Sequence, residues 1–68
     1  MKEKEVYIKV WAWDPKAREY FPRFIKYETE AAAKETFDQL SPNVDMPQIA
    51  WGIREAGGWW KVKEWKEA

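Results

Sequence analysis

Residues Val6–Asp14 read VYIKVWAWD. The run is β-branched and aromatic with a single lysine among its non-terminal positions, which predicts the central strand of a small sheet. Side chains alternate across a strand, so Val6, Ile8, Val10 and Ala12 fall on one side and Tyr7, Lys9, Trp11 and Trp13 on the other. The first set is small and aliphatic and suits a core face under a helix. The second is large and amphipathic and suits a working face open to solvent.

Working outward, Asp14-Pro15 opens a turn, because Asp bonds forward to the backbone and Pro presets φ at the next position. Tyr20–Thr29 (YFPRFIKYET) reads as a second strand. A four-residue loop, Pro15–Arg18, sets Asp14 opposite Glu19, Val6 opposite Tyr27, Ile8 opposite Ile25 and Ala12 opposite Phe21. Opposed residues share a face, so this register keeps the aliphatic sets together, and a loop one residue shorter or longer breaks the agreement. The register asks Arg18 to adopt positive φ, at a cost of about 1 kcal/mol. Pro22 marks the second strand as an edge. Arg23, opposite Val10, is expected to reach the rim or to pair with an acid on the helix.

Thr29 is a good N-cap, and Glu30 suits the positive end of the helix dipole. Glu30–Leu40 then predicts a helix with Ala33, Thr36, Phe37 and Leu40 on its inner stripe and a Glu30–Lys34 pair outside. Pro42 stops the helix. Ser41–Gln48 is a connector in which Val44 and Met46 are expected to plug the end of the core. Ile49–Glu55 is a third strand, with Ile49, Trp51 and Ile53 on one face. Gly57-Gly58 signals a two-residue hairpin turn, and Trp59–Lys66 returns as the fourth strand. A two-residue turn sets Ile53 against Val62, with Trp60, on the core side, and sliding the turn to Ala56-Gly57 is expected to keep these faces. Trp59, Lys61, Lys63 and Trp65 then join Ala50, Gly52 and Arg54 on the other side. Met1–Glu5 is expected to be a charged lead-in, and Lys66–Ala68 to fray.

The element order ββαββ predicts an α+β two-layer sandwich in one domain over residues 1–68. Its single helix covers one face of a four-stranded antiparallel sheet. A right-handed crossover gives the order 2-1-3-4, with strand four beside strand one as the alternative. The layout resembles small single-domain bacterial and phage proteins and half of a ferredoxin-like fold, in architecture alone.

Composition narrows the functions. The chain has 68 residues, 12 Lys plus Arg against 12 Asp plus Glu, and neither His nor Cys. The usual zinc-ligand sets and Cys/His nucleophiles are thereby excluded. Ser41 has no His to activate it, Glu55 and Glu64 fall near the rim, and no phosphate loop or metal motif is present. The reading is therefore of a protein that is not an enzyme and carries no cofactor or metal. The lack of Cys, of a signal pattern and of a long apolar run makes a cytoplasmic protein the expectation, with no membrane partner.

Aromatic residues make up 18% of the chain, six of them Trp, and they concentrate on the open face. The candidate binding residues are Tyr7, Lys9, Trp11, Trp13, Phe24, Lys26, Arg54, Trp59, Lys61, Lys63 and Trp65, with Tyr20 beside them. A basic sheet face is expected opposite an acidic helix carrying Glu30, Glu35 and Asp38. Protein recognition or homodimerisation fits such a face, since Trp, Tyr and Arg dominate interface energetics. Single-stranded nucleic acid, stacking bases on the aromatics, is the alternative, as is sugar binding by exposed Trp. A fourth possibility is that the aromatics and lysine stems simply cover a sheet that has no second layer.

Overall fold

The computed structural model describes residues 4–68. Strands β1 (Lys4–Asp14), β2 (Glu19–Tyr27), β3 (Gln48–Glu55) and β4 (Trp60–Glu67) and helix α1 (Glu30–Gln39) follow one another as ββαββ. The sheet is antiparallel throughout, in the order β2-β1-β3-β4, with the Val6–Asp14 run at its centre.

The β1–β2 register is the expected one, from Val6 opposite Tyr27 to Asp14 opposite Glu19. Asp14 sets the turn. Its carboxylate accepts from the backbone N–H groups of Lys16 (2.9 Å) and Ala17 (3.3 Å). Arg18 takes φ 59° to close the four-residue loop. At the next junction the Thr29 hydroxyl accepts from Ala32 N–H at 3.1 Å and caps the helix as its sequence position implies.

Val6, Ile8 and Val10 of β1, Ile49, Trp51 and Ile53 of β3, and Ala33 and Phe37 of α1 form the core, with Tyr27, Leu40 and Met46 against its edges. A ten-residue helix is only about 15 Å long, and α1 lies over β3 and β1 more than over β2. Phe21, Arg23 and Ile25 therefore occupy helix-side positions yet stay exposed. Arg23 is neither buried nor in an ion pair among the described residues. Val44 is exposed rather than plugging the core, and only Met46 packs. The result is a plate of 41 × 24 × 15 Å. Its radius of gyration is 12.7 Å, against about 11 Å for a compact chain of this length.

Strand lysines hold the helix at both ends. The solvated lead-in expected over Met1–Glu5 lies outside the described residues as far as residue 3. Lys4 and Glu5 already belong to β1, and Lys4 pairs with Glu30 at 3.0 Å. The Lys66 ammonium donates to the carbonyls of Phe37 (2.7 Å), Leu40 (2.8 Å) and Asp38 (3.3 Å) at the other end of α1. The helix has no basic residue in its own last turn, so β4 supplies the cation that its C-terminal dipole favours. Lys66 is thus an anchor, not a frayed residue, and Ala68 N–H also bonds to Pro47 O at 2.9 Å. Lys66→Met is expected to lower stability by about 2 kcal/mol, since three carbonyls lose a charged donor. Urea denaturation followed by circular dichroism would measure the loss, and an unchanged midpoint would refute the anchor.

Lys34 turns away from Glu30, which Lys4 has taken, and pairs with Asp38 (3.0 Å) and with Glu64 of β4 (3.2 Å). Glu64 also accepts from the Trp51 indole N–H at 3.1 Å. The Trp51 hydrogen bond, then that of Lys34, holds the Glu64 carboxyl below the usual glutamate range. Bonds to Asp38 and Glu64 raise the Lys34 ammonium above its ordinary value, and the bond to Glu30 raises Lys4.

The Glu64 contribution is complete above the ordinary glutamate pKa and is lost as pH falls through the depressed one. The lysine contributions are complete below the ordinary lysine pKa and are lost as pH rises through the raised ones. Stability is expected to be flat between about pH 5 and pH 10, with modest declines on either side because all these groups are solvent-accessible. Glu64→Gln should flatten the acid limb in urea midpoints taken from pH 2 to pH 7, and an unaltered limb would remove Glu64 from this role.

Candidate functional site

The face of the sheet away from α1 can be laid out as rows running across β2, β1, β3 and β4. At the hairpin end, Glu5, Arg54 and Trp60 make one row. The next is Lys26, Tyr7, Gly52 and Val62. Then come Phe24, Lys9, Ala50 and Trp65, followed by Pro22, Trp11, Gln48 and Glu67. Tyr20 and Trp13 close the far end.

This arrangement departs from the sequence expectation in β4. Five residues, not two, separate the opposed pair Arg54 and Trp60. The tight turn is centred on Ala56-Gly57, with Gly58 N–H bonded to Glu55 O at 2.8 Å. Only Gly57 is left-handed, at φ 74°, so the primed turn that Gly57-Gly58 suggested does not form. The odd loop exchanges the faces near the turn. Trp60 and Val62 lie on the open face, and Lys61 stands opposite Ile53 on the helix side. A β-bulge at Lys63 restores the expected pairing from Trp51–Glu64 onward, so Trp65 is on the open face as expected. Trp59 sits in the connection, 86% exposed.

Gly52 explains why this register is possible. A Cβ on Gly52 would lie 2.2 Å from the Lys61 carbonyl oxygen and 2.9 Å from Cε2 of the Trp60 ring. The missing side chain lets Trp60 lie over the middle of the sheet. There its ring meets Phe24, from the opposite edge strand, edge to face at 5.3 Å. Tyr7 meets Phe24 at 6.0 Å in the same manner. The contact joins residues two rows and three strands apart, which the twist of the sheet allows. Trp60 and Phe24 thus form an aromatic ridge across the face. The ring nitrogen of Trp60 is buried without a hydrogen-bond partner.

Two hollows flank the ridge. One of about 610 Å³ lies toward the hairpin, between Tyr7, Phe24, Arg54, Trp59 and Trp60. The other, of about 400 Å³, is floored by Ala50 and walled by Lys9, Trp60, Val62 and Trp65. The Lys9 ammonium stands 5.1 Å from the Trp11 ring and 5.8 Å from Phe24, which places its stem across aromatic surface.

Trp13 and Tyr20 serve the fold. Their rings pack at 5.0 Å, Tyr20 donates its hydroxyl proton to Val44 O at 2.9 Å, and Trp13 N–H bonds to Asp45 O at 2.9 Å. They clasp the connector to the end of β1.

The electrostatics also differ from expectation. Of the five cations expected on this face, Lys9, Lys26 and Arg54 are in its rows, Lys61 is on the other side, and Lys63 is the extra residue of the bulge. Glu5 lies between two of those present, 3.6 Å from Arg54 and 3.9 Å from Lys26, and Glu67 adds a second carboxylate. With Lys4, Lys34, Lys61 and Lys66 on the helix side, the basic sheet and acidic helix do not separate. The open face is aromatic and near neutral.

Sequence reasoning missed Trp60 and Val62 by assigning them to the core. The available signal was Gly52, because a glycine inside a strand marks a bulge or a close approach of another chain segment. Among the described residues no group of three or more His, Cys, Asp or Glu is placed to hold a metal, and no helix is long and apolar enough to cross a membrane. Comparison with family models, with curated proteins and with solved structures finds no match to this chain.

Proposed function

We propose that this protein is a non-enzymatic recognition module that binds protein through the open face of its sheet. One observation carries the reading: the Phe24–Trp60 ridge stands on a wide, near-neutral aromatic surface that none of the described elements covers. Aromatic anchors beside an apolar hollow are what protein hot spots are made of. Nucleic acid binding draws most of its affinity from phosphate contacts, and the charge balance of this face favours protein over nucleic acid. A chain without Cys gains nothing from an oxidising compartment, which supports a cytoplasmic setting.

The test is selection of peptides from a random library on immobilised protein, with the Phe24→Ala/Trp65→Ala double variant as control. Both residues are well exposed, so the variant should fold. Enriched peptides are expected to shift open-face amides of β1, β3 and β4 and to lose affinity for the variant by at least tenfold. Shifts confined to the helix side would contradict the reading. So would an absence of enrichment together with salt-dependent binding of an oligothymidine.

A further inference from the structure

We infer that the partner for this face is a second copy of the same chain, docked face to face with the ridge of each copy in the Ala50 hollow of the other. The inference rests on the open face being the recognition surface. Three observations go further and select the occupant.

The first is area. The broad side of the plate spans 41 × 24 Å, dimensions on the scale of the about 800 Å² that each partner gives to a stable interface. A thickness of 15 Å leaves the sheet with a single covering layer, and a second copy supplies the other as a sandwich with sheets about 10 Å apart.

The second is shape. An isologous dimer needs a surface complementary to itself. This face pairs a ridge with a hollow on the same strands, displaced along them. A two-fold axis running across the strands between the Tyr7 and Lys9 rows exchanges the two. It lays Gly52, with the Trp60 ring above it, over Ala50 of the partner copy, so that the ring enters the hollow, and it lays Val62 over Trp65 of the partner copy.

The third is charge. The same rotation brings Arg54 over Gln48 of the partner copy, one strand from Glu67 of that copy, which lies under Trp60. Among the described residues, the Glu67 carboxylate meets only the Gln48 side chain of its own chain, at 3.1 Å. Arg54 and Glu67 are thus brought near each other across the two-fold, twice over, which suits self-association. The other exposed apolar surface, Phe21 and Ile25 on the helix side of β2, is one strand wide and interrupted by Arg23.

Sedimentation equilibrium from about 1 µM to about 1 mM tests the inference with two variants of matched exposure on opposite faces. Val62 is 46% and Ile25 45% exposed, so arginine at either should be tolerated by the monomer, as circular dichroism would verify. The wild type and Ile25→Arg are expected to dimerise, with Val62→Arg weakened at least tenfold. Arg54→Glu should weaken the dimer, and adding Glu67→Lys to it should restore association. A wild type monomeric throughout overturns the dimer while leaving peptide binding by the open face standing. Dissociation by Ile25→Arg but not by Val62→Arg overturns the dimer and the open-face reading together. Failure of the charge exchange overturns this docking.

Discussion

Replacing Phe37 by alanine is expected to cost about 3–5 kcal/mol, comparable to the whole stability of about 3–10 kcal/mol that a chain of this length commands. Phe37 is the only large side chain that α1 buries, since its other buried residue is Ala33. Its ring fills the space above β1 and β3 and carries the Lys66 ammonium at 4.6 Å. Ala33, the other residue that α1 buries, is too small to fill the cavity, and Leu40 and Met46 reach only the edge of the core. Loss of the ring should therefore release both the helix and the Lys66 cap. Thermal and urea denaturation would show a much lowered midpoint or an unfolded chain at 25 °C. A loss under about 1 kcal/mol would mean that α1 does not pack on the sheet as described.

The second large effect belongs to Gly52. Gly52→Ala is expected to cost about 3 kcal/mol, at the upper end for overpacking, because the nearest obstacle is the Lys61 carbonyl and not a movable side chain. Backbone conformation is not the reason, as Gly57 is the sole described glycine with positive φ. A methyl here must push β4 from β3 at the hairpin end and lift Trp60 from Phe24. The pairs beyond the bulge, from Trp51–Glu64 to Gln48–Glu67, do not touch it. Amide exchange should quicken around Trp60–Val62 and change little at Trp65. Uniform loss of protection along β4 would show that the hairpin is one cooperative unit, contrary to this expectation.

The legible part of the fold is the part where local chemistry and hydrophobic pattern agree. Asp14-Pro15, the aliphatic alternation of β1 and β2 and Thr29 together yield the register, the left-handed Arg18 and the helix start, and the right-handed crossover favours the strand order that forms. The last hairpin lacks such agreement. In WWKVKEWK both alternating sets contain tryptophan, so pattern cannot choose a face, and Ala56-Gly57-Gly58 admits several loop lengths. Sterics at Gly52, on a different strand, decide the matter. Lys66 was illegible for a related reason. Its partners are carbonyls of a helix 26 to 29 residues earlier, and no local spacing reports such a contact. The open face was therefore foreseen as aromatic, while its membership at β4 and its charge balance came only from the three-dimensional register.

The ridge is the feature on which the recognition surface and its hollows depend, and proton–proton Overhauser effects test it most directly. The structure predicts cross-peaks from the Trp60 indole to the Phe24 ring and to the Gly52 α-protons. Cross-peaks instead from Trp60 to Ile53 and Val6, with Lys61 opposite Arg54, would put Trp60 in the core and contradict the account of the open face.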